Sequence, residues 1–167
     1  MGLTPDLFFN KITEITLSFL KTNGIRGLIL DIDNTLTYDG DFSLPEDVRK
    51  WIIGLIKADM PAIIVSNSKE KRTRPFADQC MLPYYAQALK PSRRSRAVVE
   101  DILNLKPQEI AIIGDQLFTD IWYGKRMGYR TILVEKMGAD KPIFVKMKRM
   151  LEKPVMNRIR KRGVDKA

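Results

Sequence analysis

The sequence predicts an α/β fold, a parallel five-stranded sheet flanked by helices, and three observations support this. Short apolar runs recur at residues 26–31, Ala62 to Val65, Tyr84 to Ala88, Glu109 to Ile113 and Thr131 to Val134. Between them lie segments whose apolar residues follow helical spacing, which is the strand–helix alternation of a parallel sheet. Several runs also stop abruptly at polar groups, among them Asp31, Ser66 and Gly114-Asp115. In open α/β sheets ligands bind just outside the carboxyl ends of the strands, so chemistry is expected at these stops.

Thr4-Pro5 offers an N-cap and a first-turn proline, and Phe8, Ile12, Ile15 and Phe19 recur at three- and four-residue spacing. A helix is therefore expected from Pro5 to about Leu20, ended by Asn23-Gly24. Pro45 opens a second helix carrying Val48, Trp51, Ile52 and Leu55. Further helices are expected over 69–80, from Ser92 to about Leu105, and over roughly 118–127, where Gly128 breaks the pattern. Residues 1–140 read as one compact domain and residues 141–167 as a basic helical tail, interrupted at Pro154.

Composition narrows the chemistry. The chain has 167 residues, 44% of them hydrophobic, which suits a globular core. No run approaches the roughly 20 apolar residues of a membrane-spanning helix. Asp6, Lys11 and Glu14 interrupt the N-terminal apolar residues, so no secretory signal is expected. The lone Cys80 fits a reducing compartment and reads as a buried thiol, and a cytoplasmic location follows. Histidine is absent, which excludes imidazole-based triads and zinc sites and leaves acid–base work to carboxylates, lysine or tyrosine. The net charge is +9, and residues 141–167 hold ten Lys or Arg against Glu152 and Asp165. An anionic partner for the tail is the natural reading.

Four sequence stations supply candidate chemistry. At the first, Asp31-Ile32-Asp33-Asn34-Thr35-Leu36-Thr37, one carboxylate can attack phosphorus while the second handles the leaving-group proton. Ser66-Asn67 follows the second strand, where a hydroxyl and a nearby backbone N–H can hold phosphoryl oxygens. Lys90 precedes Pro91, which keeps it extended at a strand end, and its ammonium can neutralise a transferring group. Gly114-Asp115 and Asp120 form the fourth: Asp115 can share a divalent metal with Asp31, and Asp120 can orient Lys90 or a metal-bound water. Taken singly, each has an ordinary structural alternative such as a turn, a helix cap or a surface lysine.

In this order, the four stations resemble the motifs of the haloacid dehalogenase (HAD) superfamily of phosphohydrolases. In detail the Asp31–Thr37 and Gly114–Asp120 motifs look like the small YqeG-type subfamily of HAD subclass IIIA. The resemblance implies a Rossmann-like HAD fold with Asp31 as nucleophile and Asp33 as general acid and base. It further implies Mg²⁺ held by Asp31, Asp115 and the backbone carbonyl of Asp33, a phosphoryl group gripped by Ser66 and Lys90 with Asn67 beside them, and Asp120 in support.

Only Tyr38 to Ala62 separates the first two strands, which leaves no room for an inserted cap domain. An open, capless site suits a phosphate displayed on something large. Ile143, Phe144, Met147, Met150 and Leu151 follow helical spacing among basic residues, a pattern that fits an anionic membrane surface or, alternatively, packing on the domain. YqeG-type proteins resemble the mitochondrial phosphatidylglycerophosphate phosphatases, so an anionic phospholipid substrate and peripheral contact with the inner face of a membrane are expected. A soluble phosphoester and an RNA- or ribosome-associated role are the alternatives.

Overall fold

The computed structural model describes residues 3–139 and 150–157. Its sheet has six strands: β1 (Leu7–Phe9), β2 (Gly27–Leu30), β3 (Ala62–Val65), β4 (Tyr84–Tyr85), β5 (Ile110–Gly114) and β6 (Arg130–Val134). They run in the order β1-β6-β5-β2-β3-β4, every pairing parallel. The helices are α1 (Leu17–Thr22), α2 (Glu46–Lys57), α3 (Glu70–Cys80), α4 (Arg96–Leu103) and α5 (Trp122–Met127).

The strands β2, β3 and β5 are buried along their whole length because the sheet is covered on both faces. Alternate residues therefore enter two cores. Leu28, Leu30, Ile64 and Ile113 meet Leu20, Val48, Ile52, Leu55, Phe76 and Cys80 on the face covered by α1, α2 and α3. Ile29, Ile63, Val65 and Ile112 meet Val99, Leu103, Tyr123 and Met127 from α4 and α5 on the other. Helix α5 lies close to the sheet because residue 124 is glycine. A Cβ there would stand 2.5 Å from side-chain carbons of Ile112 and Thr131. Burial pushes the Cys80 thiol up to about 12, which keeps it inert at neutral pH.

After β2 the chain builds outward through β3 and β4, then returns across β2 to lay down β5 and β6. The reversal falls between β2 and β5, and their carboxyl ends deliver Asp31 and Asp115 to the crevice.

The N-terminal segment departs from the expected helix and adds the sixth strand. Leu7-Phe8-Phe9 pairs with Ile132-Leu133-Val134, and only Leu17–Thr22 is α-helical, after a 3₁₀ turn at Ile12–Glu14. An extended backbone sends Phe9 into the first core and Phe8 to the opposite face against Leu117, Ile121 and Leu133. It also covers the otherwise open edge of β6. The expected strand at Tyr84 to Ala88 is reduced to two residues, and the expected helix over 118–127 begins as a π-helical turn, Leu117–Ile121.

Residues 150–157 are helical through Pro154, where an interruption was expected. Val155 and Met156 pack against the Phe8–Leu117–Ile121–Leu133 cluster, and buried Glu152 accepts a 3.1 Å bond from the Phe118 N–H. These contacts on both sides of the proline offset its missing hydrogen bond. The rest of the expected tail, residues 141–149 and 158–167, lies outside the described residues.

Asp6 fastens β1 to β6. Thr131 N and Oγ1 each donate to Asp6 Oδ2 at 2.8 Å, and Lys125 pairs with Oδ1. Burial works against the charged carboxylate, but the bonds from Lys125 and Thr131 outweigh it and hold Asp6 below its ordinary 3.8. A depressed carboxylate stabilises the fold above its unfolded value, and that contribution is lost as pH falls through the folded one. Asp6→Asn is therefore expected to lower Tm by about 4 °C at pH 7. In thermal melts across pH, the gap to the parent should narrow as pH falls below 3.8.

Candidate active site

The end of β2 carries the chain's centre of charge. Lys90, in the loop after β4, is 4% exposed and bonds Asp31 Oδ1 and Asp120 Oδ1 at 2.6 Å each. Asp31, Asp115 and Asp120 are also buried, so one ammonium faces three carboxylates. Charges are buried at great cost unless compensated. Burial is the main reason that Asp31 is pushed up to about 7. Lys90 opposes that shift, while Asp120 and Asp33 add to it. Burial disfavours the Lys90 ammonium, but Asp120 and then Asp31 outweigh it and keep the group protonated.

Carboxylate oxygens of Asp31, Asp115 and Asp120 lie within 4.8 Å of one another. Such an all-oxygen donor set fits a hard divalent cation. The oxygens come from two neighbouring strand ends and from the π-helical turn after β5, where Asp120 is brought back toward Gly114. Gly114 makes that return possible, because a Cβ there would sit 2.3 Å from Asp120 Cγ. Asp120 Oδ2 accepts a 3.2 Å bond from Gln116 N–H, which holds the turn closed.

Asp33 stands beside this cluster and its side chain turns to different partners. Oδ1 accepts from Gly40 N–H at 3.0 Å and from the Arg72 guanidinium, and Oδ2 accepts from Ser68 Oγ at 3.0 Å. The intervening turn is tied by Thr35, Leu36 and Thr37 amides donating to Ile32 O, and by Thr37 Oγ1 donating to Ser43 O at 2.7 Å. This restraint by Thr37 agrees with the hydroxyl-rich turn expected there.

Ser66 is buried at the end of β3, where its Oγ accepts from Ser68 N–H at 3.1 Å. The Asn67 amide engages Lys90 at both ends: Oδ1 accepts from Lys90 N–H at 2.6 Å, and Nδ2 donates to Lys90 O at 3.3 Å. Asn67 thus clamps the loop that delivers the buried lysine.

The structure brings Asp31, Lys90, Asp115 and Asp120 together and places Asp33 and Ser66 at their margin. Sequence reasoning passed over Arg72, Ser68 and Glu152. Arg72 did leave a trace: it lies in the first turn of α3, where a cation runs against the helix dipole and so calls for a partner. Glu152 was concealed in a stretch read for its basic residues. With Lys153 and Met156 it bounds a cavity of about 190 Å³ that also touches Asp115 and Val134.

Fold and site together define the class: a phosphatase of the HAD superfamily. The sequence model of the family described as mitochondrial PGP phosphatase matches residues 2–138, and the chain belongs to that family. It is 31% identical over 160 residues to "Probable phosphatase YqeG" of Bacillus subtilis, covering 95% of this chain and 92% of that protein. It is 24% identical to the chloroplastic/mitochondrial "Phosphatidylglycerophosphate phosphatase 1" of Arabidopsis thaliana, covering 96% of this chain and 49% of the plant protein. In fold it is similar to the cobalt-bound deoxy-D-mannose-octulosonate 8-phosphate phosphatase of Haemophilus influenzae, with TM-score 0.52, 21% identity and 77% of each chain covered.

Gly114→Ala must drive Asp120 off Lys90. Tm is expected to fall by roughly 5 °C, and phosphatase turnover by about 100-fold. Thermal melts and steady-state assays showing neither effect would contradict the packing described.

Proposed function

We propose that the protein is a Mg²⁺-dependent phosphomonoesterase that works through an aspartyl-phosphate on Asp31. The observation behind this reading is the buried Lys90 shared by Asp31 and Asp120, with Asp115 completing an oxygen cluster within 4.8 Å. Asp31 Oδ1 is engaged by Lys90, so attack falls to Oδ2. As the Asp31–phosphorus bond forms, the phosphorus–leaving-group bond breaks and Asp33 gives its proton to the departing oxygen. Asp33 then takes a proton from the water that hydrolyses the acyl phosphate and regenerates Asp31. Ser66 and Lys90 hold the phosphoryl oxygens, Asp120 keeps Lys90 in place, and Asn67 acts through the Lys90 backbone.

Asp31, Asp115 and the Asp33 carbonyl would hold Mg²⁺, which when bound supplies charge neutralisation at the phosphoryl oxygens. The all-carboxylate donor set supports this assignment.

For the substrate we favour a phosphate monoester on an anionic phospholipid, of the phosphatidylglycerophosphate type. The family match and the name of the plant relative support it. So does a site whose strand connections leave no space for a cap, together with the excess of basic residues over 141–167. Contact with a membrane would then be peripheral: no helix among the described residues is long and apolar enough to cross one.

Phosphate release from phosphatidylglycerophosphate in mixed micelles should exceed release from soluble sugar and nucleotide monoesters. It should stop with EDTA, return with Mg²⁺, and fall at least about 1,000-fold in Asp31→Asn. Full activity of Asp31→Asn would contradict the mechanism. A preference for soluble esters would contradict the lipid assignment, and tight RNA binding without turnover would replace it with a scaffold role.

A further inference from the structure

Arg72 touches neither Asp31 nor Lys90, yet its guanidinium makes three separate engagements. Nη2 pairs with Asp33 Oδ1, Nη1 donates to the backbone carbonyl of Asp41 at 2.7 Å, and the plane lies 5.1 Å from the centre of the Phe42 ring. The side chain is only 13% exposed, and its Nε is buried with no hydrogen-bond acceptor among the described residues. An unsatisfied buried donor is destabilising, and a cation in the first turn of α3 opposes the helix dipole. The fold accepts both costs at one residue, and what it obtains is the placement of Asp33 and of the loop at residues 38–43.

We propose that Arg72 is a positioning residue that acts through Asp33, and the proposal rests on the phosphomonoesterase reading above. Asp33 opens the turn at residues 34–36, and its side chain could swing about χ1. Arg72 and Gly40 N–H fix Oδ1, while Ser68 Oγ fixes Oδ2, so both oxygens are held from outside the charge cluster. The planar fork of an arginine reaches Asp33 and the Asp41 carbonyl at once and stacks on Phe42. A lysine ammonium provides the charge without that geometry. The loop bearing Gly40 and Phe42 is thereby tied to α3, and Asp33 is held in one direction when the leaving group departs.

The step that depends on this placement is proton donation to the leaving oxygen. An alkyl phosphate, whose alkoxide is a poor leaving group, needs that proton, whereas p-nitrophenolate departs with little help. The test is Arg72→Lys, with kcat and KM measured for glycerol 3-phosphate and for p-nitrophenyl phosphate in Mg²⁺. Misplacement of the acid should lower kcat/KM for the alkyl ester about 30-fold more than for the aryl ester, through kcat rather than KM. In an Asp33→Asn background the same substitution should add less than about threefold, because the two residues act as a unit. Ser68→Ala, which removes the bond to Oδ2, should shift the ratio in the same direction even where Arg72→Lys fails to fold.

Equal losses on both esters with a lowered Tm would reduce Arg72 to a structural tie and overturn the proposal. So would additive effects of Arg72→Lys and Asp33→Asn. If the parent hydrolyses only the lipid monoester, Arg72→Lys should lower kcat on that lipid about 30-fold, and by less than about threefold in the Asp33→Asn background; additive losses there overturn the proposal. If the parent hydrolyses no monoester at all, the phosphatase mechanism and the role of Arg72 fall together.

Discussion

The site depends on one buried ammonium. Lys90 lies between Asp31 and Asp120, and Asp115 adds a third carboxylate to the same pocket. Removing one partner from a buried charge set costs about 3–5 kcal/mol, because the remaining charges cannot recover their hydration. The cluster therefore ties together three parts of the chain that are far apart in sequence: the end of β2, the loop after β4 and the turn after β5. Its clustered carboxylate oxygens suit a divalent cation, and the ammonium suits the anionic oxygens of a phosphoryl group. The Asp31 carboxyl responds to the same buried, carboxylate-rich surroundings. Burial raises it toward neutrality, and a cation close by would return it to the ionised form needed of a nucleophile.

Around this pocket the fold works as a set of clamps. The parallel register of β2 with β3 and β5 fixes where Asp31, Ser66 and Asp115 emerge. Asn67 holds the Lys90 loop by its backbone, Gly114 lets Asp120 fold back, and the Glu152 carboxylate caps the Phe118 amide within the turn that carries Asp120. Residues 150–157 consequently belong to the wall of the site. The packing expected of the first half of the basic tail falls instead on its second half: Val155 and Met156 pack inward, while Met150 and Leu151 are exposed and Lys153 is exposed beside the cavity that reaches Asp115.

What could be read in advance follows from the range of each interaction. The strand at Ala62–Val65 was legible because a short run buried on both faces has only one economical structure. Asp31 and Asp115 directly follow β2 and β5, and Lys90 and Asp120 come five and six residues after β4 and β5, so the apolar runs pointed to all four as candidates. The edge strand β1 was not. Phe8, Ile12, Ile15 and Phe19 have helical spacing, and only the exposed edge of β6, more than a hundred residues away, makes the extended form the better one. Pro154 misled for the same reason, since its cost is local and the compensating contacts of Glu152 and Val155 are distant. Arg72 stayed hidden because its partners, Asp33, Asp41 and Phe42, are 30 or more residues earlier in the chain.

The central claim is that the strand-end cluster makes Asp31 a nucleophile. Borohydride reduction of enzyme quenched during turnover of a phosphomonoester converts an aspartyl-phosphate to homoserine, which peptide mass spectrometry locates. The account predicts homoserine at position 31 and at no other carboxylate. Turnover that leaves Asp31 unmodified, or a trapped residue elsewhere, would contradict it.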